Sequence, residues 1–330
     1  MNEFELIKRV THGSPRSLAD LVQGIDDDCA ILKGKNDKDI LVTTDGLFEG
    51  VHFKMEWTSP KTIGRKALSV NISDIAAMGG KPLYYLVTVG IPEGFPSKDV
   101  EAIFEGMNQI ASNFRMILIG GDTCASKSGL LLSVTVIGEI DSLKAILRNG
   151  ANPGDLIYVT GTLGDSSLGL SCLTKGLRGI NIREYIRRHT DPTPRVAVGQ
   201  WLSASTCVSS MIDISDGLAK DLGHIGEMSK VGIKIFADLL PLSNGFNQAA
   251  SSVNKDPLIL ALTGGEDYEL AFTVSKQKVD LFEKMLKVVA PTFGHGVTKI
   301  GEVIEGEGVK VIDVHGTDIP LSNAGFEHKF

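Results

Sequence analysis

The sequence has few cysteines, and their spacing fits neither a zinc site nor a disulfide framework. Its 330 residues include four of them, namely Cys29, Cys124, Cys172 and Cys207. They form no C-x-x-C pair, and no histidine lies at metal-ligand spacing from them. Isolated cysteines of this kind are typical of reduced, mostly buried thiols in a cytosolic protein. The pattern therefore predicts free cysteines and argues against structural zinc.

Clustered positive charge is also missing. The chain has 33 Lys and Arg residues against 40 Asp and Glu residues, which gives a formal net charge of -7 at pH 7. Nucleic-acid-binding domains usually carry a basic patch or stripe, and no such cluster occurs here. The most basic segment, residues 183–195, is typical of a solvated helix end before a proline-containing turn. We therefore expect no nucleic-acid partner.

Long apolar runs are absent as well. No stretch approaches the roughly 18 apolar residues that a transmembrane helix needs. The first ten residues, MNEFELIKRV, carry an acid at the third position and lack the apolar core of a signal peptide. The composition, 42% hydrophobic and 22% charged with 37 glycines, is typical of a soluble globular protein with many tight turns. We expect no membrane association and a cytoplasmic location.

The common nucleotide-binding and hydrolase fingerprints do not occur. The sequence has no G-x-x-x-x-G-K-[ST] and no G-x-G-x-x-G. It also lacks the protein-kinase set and the G-x-S-x-G elbow of serine hydrolases. Any phosphate chemistry must therefore use a different arrangement of donors and metal ligands.

Helical and strand periodicities are mixed along the whole chain, which predicts an α/β or α+β fold in two domains. A helix is predicted over Pro60–Met78, because the proline suits a helix start and Gly79-Gly80 suits a stop. Ser97 is the predicted cap of the next helix. A buried strand is predicted over Met116–Ile119.

The turn-rich segment LRNGANPG, residues 147–154, is the predicted domain boundary. It separates an N-terminal domain of residues 1–148 from a C-terminal domain of residues 149–330. Two glycine-rich segments, Gly120–Asp122 and Gly161–Gly164, follow predicted strands and are candidates for backbone N–H donors to phosphate.

Six aspartates stand at the ends of apolar segments or beside small residues, where carboxylates are free of bulky neighbours. They are Asp28, Asp45, Asp74, Asp122, Asp213 and Asp216. Acids in such places are also ordinary turn formers and helix caps. If all six converge, they repel strongly, and several divalent cations are needed to neutralise them. Mg²⁺ prefers such oxygen ligands, and a polyphosphate suits such a cluster because metals bridge its oxygens.

Seven sequence blocks, in order along nearly the whole chain, carry a specific resemblance. They are residues 24–30, residues 43–45 with 50–53, and residues 66–79, 118–123, 148–155, 212–218 and 264–270. Together they resemble the thiamine-monophosphate kinase family of the aminoimidazole-ribonucleotide-synthetase-like ATP-binding superfamily. The fold that this resemblance implies is an N-terminal α/β domain that dimerises through its sheet, plus a C-terminal α/β sandwich domain. A homodimer is therefore expected.

The resemblance implies Mg²⁺-dependent transfer of the ATP γ-phosphoryl group to thiamine monophosphate, giving thiamine diphosphate and ADP. ATP is the implied co-substrate, several Mg²⁺ ions are the implied cofactors, and no side chain is assigned as a catalytic base. The implied metal ligands are Asp28, Thr43, Thr44, Asp45, Asp74, Asp122, Asp213 and Asp216. The implied ATP contacts are Phe104, Gly121, Asp122, Arg148 and Ser215. The implied contacts to thiamine monophosphate are His52, Glu266 and Phe326.

Two departures from the family pattern and two other functions stay open at this point. Asp26 replaces a usual glycine, and Phe104 replaces a frequent tyrosine. One alternative is an ATP-dependent or selenophosphate-type synthetase of the same superfamily, although no cysteine stands in a Gly-rich N-terminal segment. The other is a nucleotide-binding regulatory protein without turnover, against which the intact set of acids argues.

Overall fold

The structure is a computed structural model that describes residues 3–12, 18–321 and 324–326. The first half forms one mixed sheet of six strands in the order β1-β2-β3-β6-β4-β5. The strands are β1 (Leu21–Gln23), β2 (Ala30–Lys33), β3 (Lys38–Phe48), β4 (Lys81–Pro92), β5 (Ile117–Ser126) and β6 (Leu131–Asp141). The helices of this half are α1 (Glu3–Val10), α2 (Pro60–Ala77) and α3 (Ser97–Phe114).

The second half forms another mixed sheet of six strands, in the order β12-β9-β11-β7-β10-β8. Its strands are β7 (Leu156–Thr160), β8 (Val208–Asp213), β9 (Gly232–Phe236), β10 (Leu270–Val274), β11 (Val297–Ile304) and β12 (Val309–Ile312). Its α-helices are α4 (Asp165–Thr174), α5 (Arg183–Thr190), α6 (Val196–Ser205), α7 (Leu218–Ser229), α8 (Phe246–Ser252), α9 (Pro257–Thr263) and α10 (Val279–Phe293). The predicted two-domain α/β (α+β) class is confirmed.

The helix α2 lies at the centre of the molecule. Ser59 caps its N-terminus by accepting a hydrogen bond from the Thr62 N–H, and Pro60 occupies the first turn, where no N–H is needed. It packs against β3, β6 and α3 of the first half, and also against α6 and β8 of the second. Because both halves cover it, most of its residues are buried, including polar ones. This helix therefore positions residues from both domains relative to one another.

Three local predictions differ from the structure. The segment 116–119 is not a buried strand: β5 continues to Ser126 at the edge of the sheet, and Ile117 and Ile119 are 59% and 51% exposed. Gly120–Asp122 therefore lies within a strand rather than in a turn. Ser97 is not a cap, because the helix already begins there after Pro96, and no side-chain cap is formed.

The strand before Asp45 is also longer than its sequence pattern indicates. β3 runs on to Phe48, so Thr44-Asp45-Gly46 lies inside the strand, paired with β6 along its whole length. The polar residues there reflect a cleft beside the strand rather than the end of the strand. Of the four cysteines, three are buried and Cys124 is exposed, and all four are free. No described helix is long and apolar enough to cross a membrane.

The crossing of α2 and α3 depends on glycine. A Cβ added to Gly106 would lie 1.9 Å from the Lys61 carbonyl oxygen, and one added to Gly64 would lie 1.9 Å from the Ile103 carbonyl oxygen. We expect Gly106→Ala to force the helices apart and to lower the free energy of unfolding by about 1–3 kcal/mol. Gly223→Ala, in a helix with room for the methyl group, should be neutral or slightly stabilising. Thermal unfolding of both variants checks this, and equal midpoints would contradict it.

Candidate active site

A cavity of about 660 Å³ lies between the two domains. The N-terminal domain lines it with residues from β3, from α2 and from the segment before β2. The C-terminal domain lines it with the residues that follow β8 and α9, and with Gly325 and Phe326 near the end of the chain. The cleft therefore collects residues that are as much as 319 positions apart, from Ile7 to Phe326.

Strand alternation and one helix turn build the N-terminal wall. Thr43 and Asp45 lie on the same face of β3, since side chains two positions apart share a face. The Thr43 hydroxyl donates a hydrogen bond of 2.5 Å to Asp74 Oδ2 on α2. The Asn71 side-chain oxygen accepts from the Asp45 backbone N–H at 2.8 Å. These bonds fix the strand against the helix and direct both carboxylates toward the cleft.

Three carboxylates from separate elements meet at the base of the cleft. Asp28, Asp74 and Asp213 each offer an oxygen, and these oxygens lie within 4.8 Å of one another. Asp213, at the end of β8, accepts a hydrogen bond of 2.6 Å from the Ser73 hydroxyl on α2. The second oxygen of Asp28 is buried and has no hydrogen-bond partner among the described residues. Together these features fit a divalent cation, which takes oxygen ligands and neutralises like charges.

Burial and mutual repulsion disfavour the charged forms of these acids. Burial, with the nearby Asp28 carboxylate, raises the pKa of Asp213 to about 8. Burial and Asp28 also raise the pKa of Asp27 to about 7. The pKa of Asp74 is raised well above its ordinary value by burial and by neighbouring carboxylates. A bound cation would reverse this balance, because it favours the ionised carboxylates.

One arginine closes this side of the cleft. The Arg148 guanidinium donates to Asp28 Oδ1 at 2.5 Å, and its backbone N–H donates to Asp27 Oδ2 at 3.2 Å. Its Nε is buried and has no partner in the part of the chain that the structure describes. Asp26, two residues before Asp28, has a φ of 91°, so the aspartate adopts the left-handed backbone that a glycine would adopt without strain.

Another part of the cleft wall holds the three predicted contacts to thiamine monophosphate. His52, Glu266 and Phe326 all line the cavity. The Phe326 backbone N–H donates to the Asp216 carbonyl oxygen at 2.9 Å, and Lys220 Nζ lies 2.7 Å from Asp216 Oδ2. The residues near the C-terminus are thereby fixed beside the start of α7, where Ser215 and Asp216 also line the cavity.

Sequence reasoning missed two residues at this end, Lys66 and His189. Lys66 Nζ lies 2.9 Å from one oxygen of Glu266, and His189 Nδ1 lies 3.0 Å from the other. Lys66 begins one of the blocks that carry the resemblance but was assigned no role, and His189 belongs to the basic segment that was interpreted as a solvated helix end. The available signal was a lysine whose helical neighbours three before and four after it, Ile63 and Val70, are apolar, since charged side chains are rarely buried without a partner.

Three predicted residues are not brought to this cleft within one chain. Gly121 and Asp122 lie on the exposed edge strand β5, and Phe104 packs on the core of the first domain. Of the six aspartates that were predicted to converge, five line this cleft in a single chain, and Asp122 does not. The Thr44 backbone borders the cleft, but its hydroxyl donates to the Val134 carbonyl oxygen on β6. The Gly161–Gly164 turn does not line the cleft, and the Gly164 N–H donates a hydrogen bond to the Asp267 carboxylate.

Two family descriptions match most of the chain. The AIR synthase related protein N-terminal domain matches residues 26–140, and the corresponding C-terminal domain matches residues 152–314. Thiamine-monophosphate kinase from Bacillus subtilis (strain 168) is 39% identical over 335 aligned positions, covering 99% of each chain. The chain belongs to the thiamine-monophosphate kinase family. The resemblance described from the sequence blocks is therefore confirmed.

Further members of the family support this assignment. Thiamine-monophosphate kinase from Escherichia coli (strain K12) is 36% identical over 330 positions, covering 99% of this chain and 98% of the relative. The solved structure of AaThiL complexed with AMPPCP and TMP superposes with a TM-score of 0.84 at 33% identity. It covers 99% of this chain and 97% of its own. The family fold is therefore shared over nearly the full length.

The raised pKa values predict a characteristic pH dependence for the metal-free protein. Near neutral pH the folded protein retains protons on Asp27 and Asp213 that the unfolded chain has already released. Its stability should therefore fall as the pH rises from about 5 to about 8. Thermal unfolding in the presence of a chelator checks this, and Asp213→Asn should reduce the slope. An unfolding midpoint that rises over this range would contradict the prediction.

Proposed function

We propose that this protein transfers the γ-phosphoryl group of ATP to thiamine monophosphate, giving thiamine diphosphate and ADP. The observation that carries the proposal is the set of seven aspartates, five of them predicted from the sequence, that line one interdomain cleft together with Arg148. Such a cluster suits a polyphosphate with its metal ions, and the chain belongs to a family named for this activity. The structure of AaThiL complexed with AMPPCP and TMP supports both substrates.

We propose Mg²⁺ as the cofactor, held by Asp28, Asp45, Asp74, Asp213 and Asp216 with the Thr43 hydroxyl. The buried, unpartnered oxygen of Asp28 and the raised pKa values of Asp74 and Asp213 support this assignment. When bound, the ions neutralise charge on the phosphate oxygens in the transition state. Thr44 and Asp122 stay as weaker candidates, since neither side chain reaches the cleft in one chain.

The reaction needs positioning more than proton transfer. The acceptor is a phosphate oxygen of thiamine monophosphate, which is already ionised at neutral pH, so no strong general base is required. This oxygen bonds to the γ-phosphorus of ATP while the bond to the bridging β–γ oxygen breaks, and that oxygen leaves as part of ADP. Arg148 can bind a phosphate bidentately, and Ser215 can donate a hydrogen bond.

The thiamine end of the substrate is proposed to lie between His52, Glu266 and Phe326. An aromatic ring can cover the flat, cationic thiazolium, and a carboxylate adds favourable charge. Placing the thiamine at this end leaves its phosphate facing the aspartates. We further propose a domain boundary between residues 148 and 149, and a cytoplasmic location, which the scattered, free cysteines support.

We also propose that two copies pair through the N-terminal sheet. One face of this sheet is covered by α2 and α3, whereas Phe48, Tyr84 and Ile117 are exposed on the strands. The edge strand β5 adds exposed Leu118 and Ile119. An exposed apolar edge and face of this kind usually mark an interface. The predicted ATP contacts Gly121 and Asp122 would then lie at the boundary between two copies.

Turnover tests the proposed activity. The protein with ATP, Mg²⁺ and thiamine monophosphate should form thiamine diphosphate and ADP in equal amounts, and a chelator should stop the reaction. Asp45→Asn should lower kcat by about 100-fold or more, because it removes a ligand charge. Asp39→Asn, on the same face of β3 but bonded to Ser142 away from the cleft, serves as the matched control. Full activity of a folded Asp45→Asn variant would rule out its assigned role.

The proposed dimer predicts a mass of twice 35.3 kDa in solution. Ile119→Lys places a charge on the apolar edge and should give a monomer, because burying an unpaired ammonium group is unfavourable. Val288→Lys, an equally apolar and exposed residue on α10, should leave the dimer intact. Light scattering after gel filtration distinguishes the two outcomes. A wild-type monomer at micromolar concentration would contradict the proposal.

A further inference from the structure

A triad of side chains, Glu266 with Lys66 and His189, crosses the domain interface at the thiamine end of the cleft. Lys66 of α2 contacts one carboxylate oxygen of Glu266 at 2.9 Å, and His189 of α5 contacts the other at 3.0 Å. Lys66 and His189 are only 2% and 3% exposed. Lys66 also donates to the backbone carbonyl oxygen of His52 at 3.0 Å. One ammonium group therefore joins two of the proposed substrate contacts, which come from different domains.

The triad fixes both the charge and the orientation of Glu266. Burial disfavours its charged form, but Lys66 and His189 outweigh this and lower the pKa of Glu266. Burial and the nearby Lys66 also lower the pKa of His189, so the imidazole is neutral at ordinary pH. With one contact to each oxygen, the carboxylate cannot rotate without breaking an ion pair. Glu266 borders the cavity, and each of its oxygens has lone-pair capacity beyond the contact with Lys66 or His189.

The same contacts set the tautomer of His189. An ionised carboxylate only accepts hydrogen bonds, so the imidazole proton must lie on Nδ1, toward Glu266. The Ser166 hydroxyl, 3.1 Å from Nδ1, does not change this, because it can accept or donate. Nε2 then carries a lone pair, and it is buried with no partner among the residues that the structure describes. Glu266 and His189 both line the cavity, so a carboxylate and an imidazole with an unpartnered nitrogen lie together at this end of the cleft.

Resting on the proposed function, we propose that these two acceptors select the amine of the substrate's aminopyrimidine ring. The exocyclic amine is the only N–H group of thiamine monophosphate, so it is the one group that an acceptor pair can bind. In an analogue with a carbonyl at this position, the carbonyl oxygen would face an oxygen of the Glu266 carboxylate, and two acceptors repel each other. Lys66 and His189 act as positioning residues, because they hold Glu266 charged and in one orientation.

Oxythiamine monophosphate, in which a carbonyl replaces the amine, tests the selection directly. A site whose acceptors bind an N–H group of the substrate rejects an analogue that lacks this group. The value of kcat/KM should therefore be at least about 100-fold higher for thiamine monophosphate than for the analogue. In Glu266→Gln the side-chain amide can donate to the carbonyl, and this preference should fall by about tenfold or more. A loss of stability alone lowers both rates and leaves their ratio unchanged. Equal use of both substrates by the wild-type protein would overturn the proposal.

Two lysines of α2 separate the positioning role from a general effect on the helix. Lys66→Met should raise KM for thiamine monophosphate about tenfold and reduce the preference for the amine, with KM for ATP nearly unchanged. Lys61→Met breaks an exposed ion pair with Glu105 on the same helix and should change neither value. His189→Asn retains a donor toward Glu266 but removes Nε2, so it should retain part of the preference.

The outcomes also separate this inference from the proposed function. If the wild-type protein forms no thiamine diphosphate, the proposed activity itself fails. If it forms the product but a folded Glu266→Gln variant retains the full preference for the amine, only the acceptor pair is refuted. An unchanged KM for thiamine monophosphate in Lys66→Met would refute the positioning role of Lys66.

Discussion

The structure depends on keeping several carboxylates close together in one partly buried cleft. Asp28, Asp74 and Asp213 come from three separate elements, and their oxygens meet within 4.8 Å. Like charges at this distance repel, and burial increases the penalty for ionisation. The protein offsets part of this with Arg148 and with the hydroxyls of Thr43 and Ser73. The negative charge that remains gives the site an affinity for a divalent cation.

The helix α2 connects this phosphate end to the thiamine end. Ser73 and Asp74 follow Lys66 by seven and eight positions, which is about two helical turns. The three residues therefore lie on one face of the helix, and that face borders the cleft. From Lys66 to Asp74 the axis advances about 12 Å. A rigid helix therefore sets the separation between the two ends of the site. Because β8 and α6 of the other domain pack on the same helix, the two walls of the cleft share one reference element.

Much of this architecture follows from local sequence patterns. Ser59 and Pro60 mark the start of α2, and the mixture of helical and strand periods indicates two α/β domains. The prediction of a strand end at Asp45 was wrong. An apolar run followed by a polar residue occurs both where a strand ends and where a continuing strand borders a cleft. The exposed strand β5 was misread for a related reason. Apolar residues predict that a surface is covered, but not whether the same chain or another one covers it.

Local sequence patterns could not predict the triad at Glu266, because Lys66 and Glu266 are 200 positions apart in the chain. Single-sequence reasoning finds periodicity and short motifs, whereas this contact depends on the packing of two domains. The resemblance to a known family implied that Glu266 is a substrate contact. It did not identify the lysine and histidine that hold the carboxylate, since their role appears only when the distances are known.

The loop that carries Glu266 shows how the fold accommodates strain at the site. Glu266 and Tyr268 have φ values of 64° and 51°, a conformation that non-glycine residues rarely adopt. The backbone N–H groups of these residues donate to Ser215 and Ile214, at 2.7 and 2.9 Å. The adjacent Gly265 lies so close to Ser215 that a Cβ would come within 2.6 Å of its carbonyl oxygen. Strained backbone persists where its surroundings over-determine it. Here the same hydrogen bonds that hold the strained loop join Glu266 to the segment after β8, which carries the proposed ATP contact Ser215 and the proposed metal ligand Asp216.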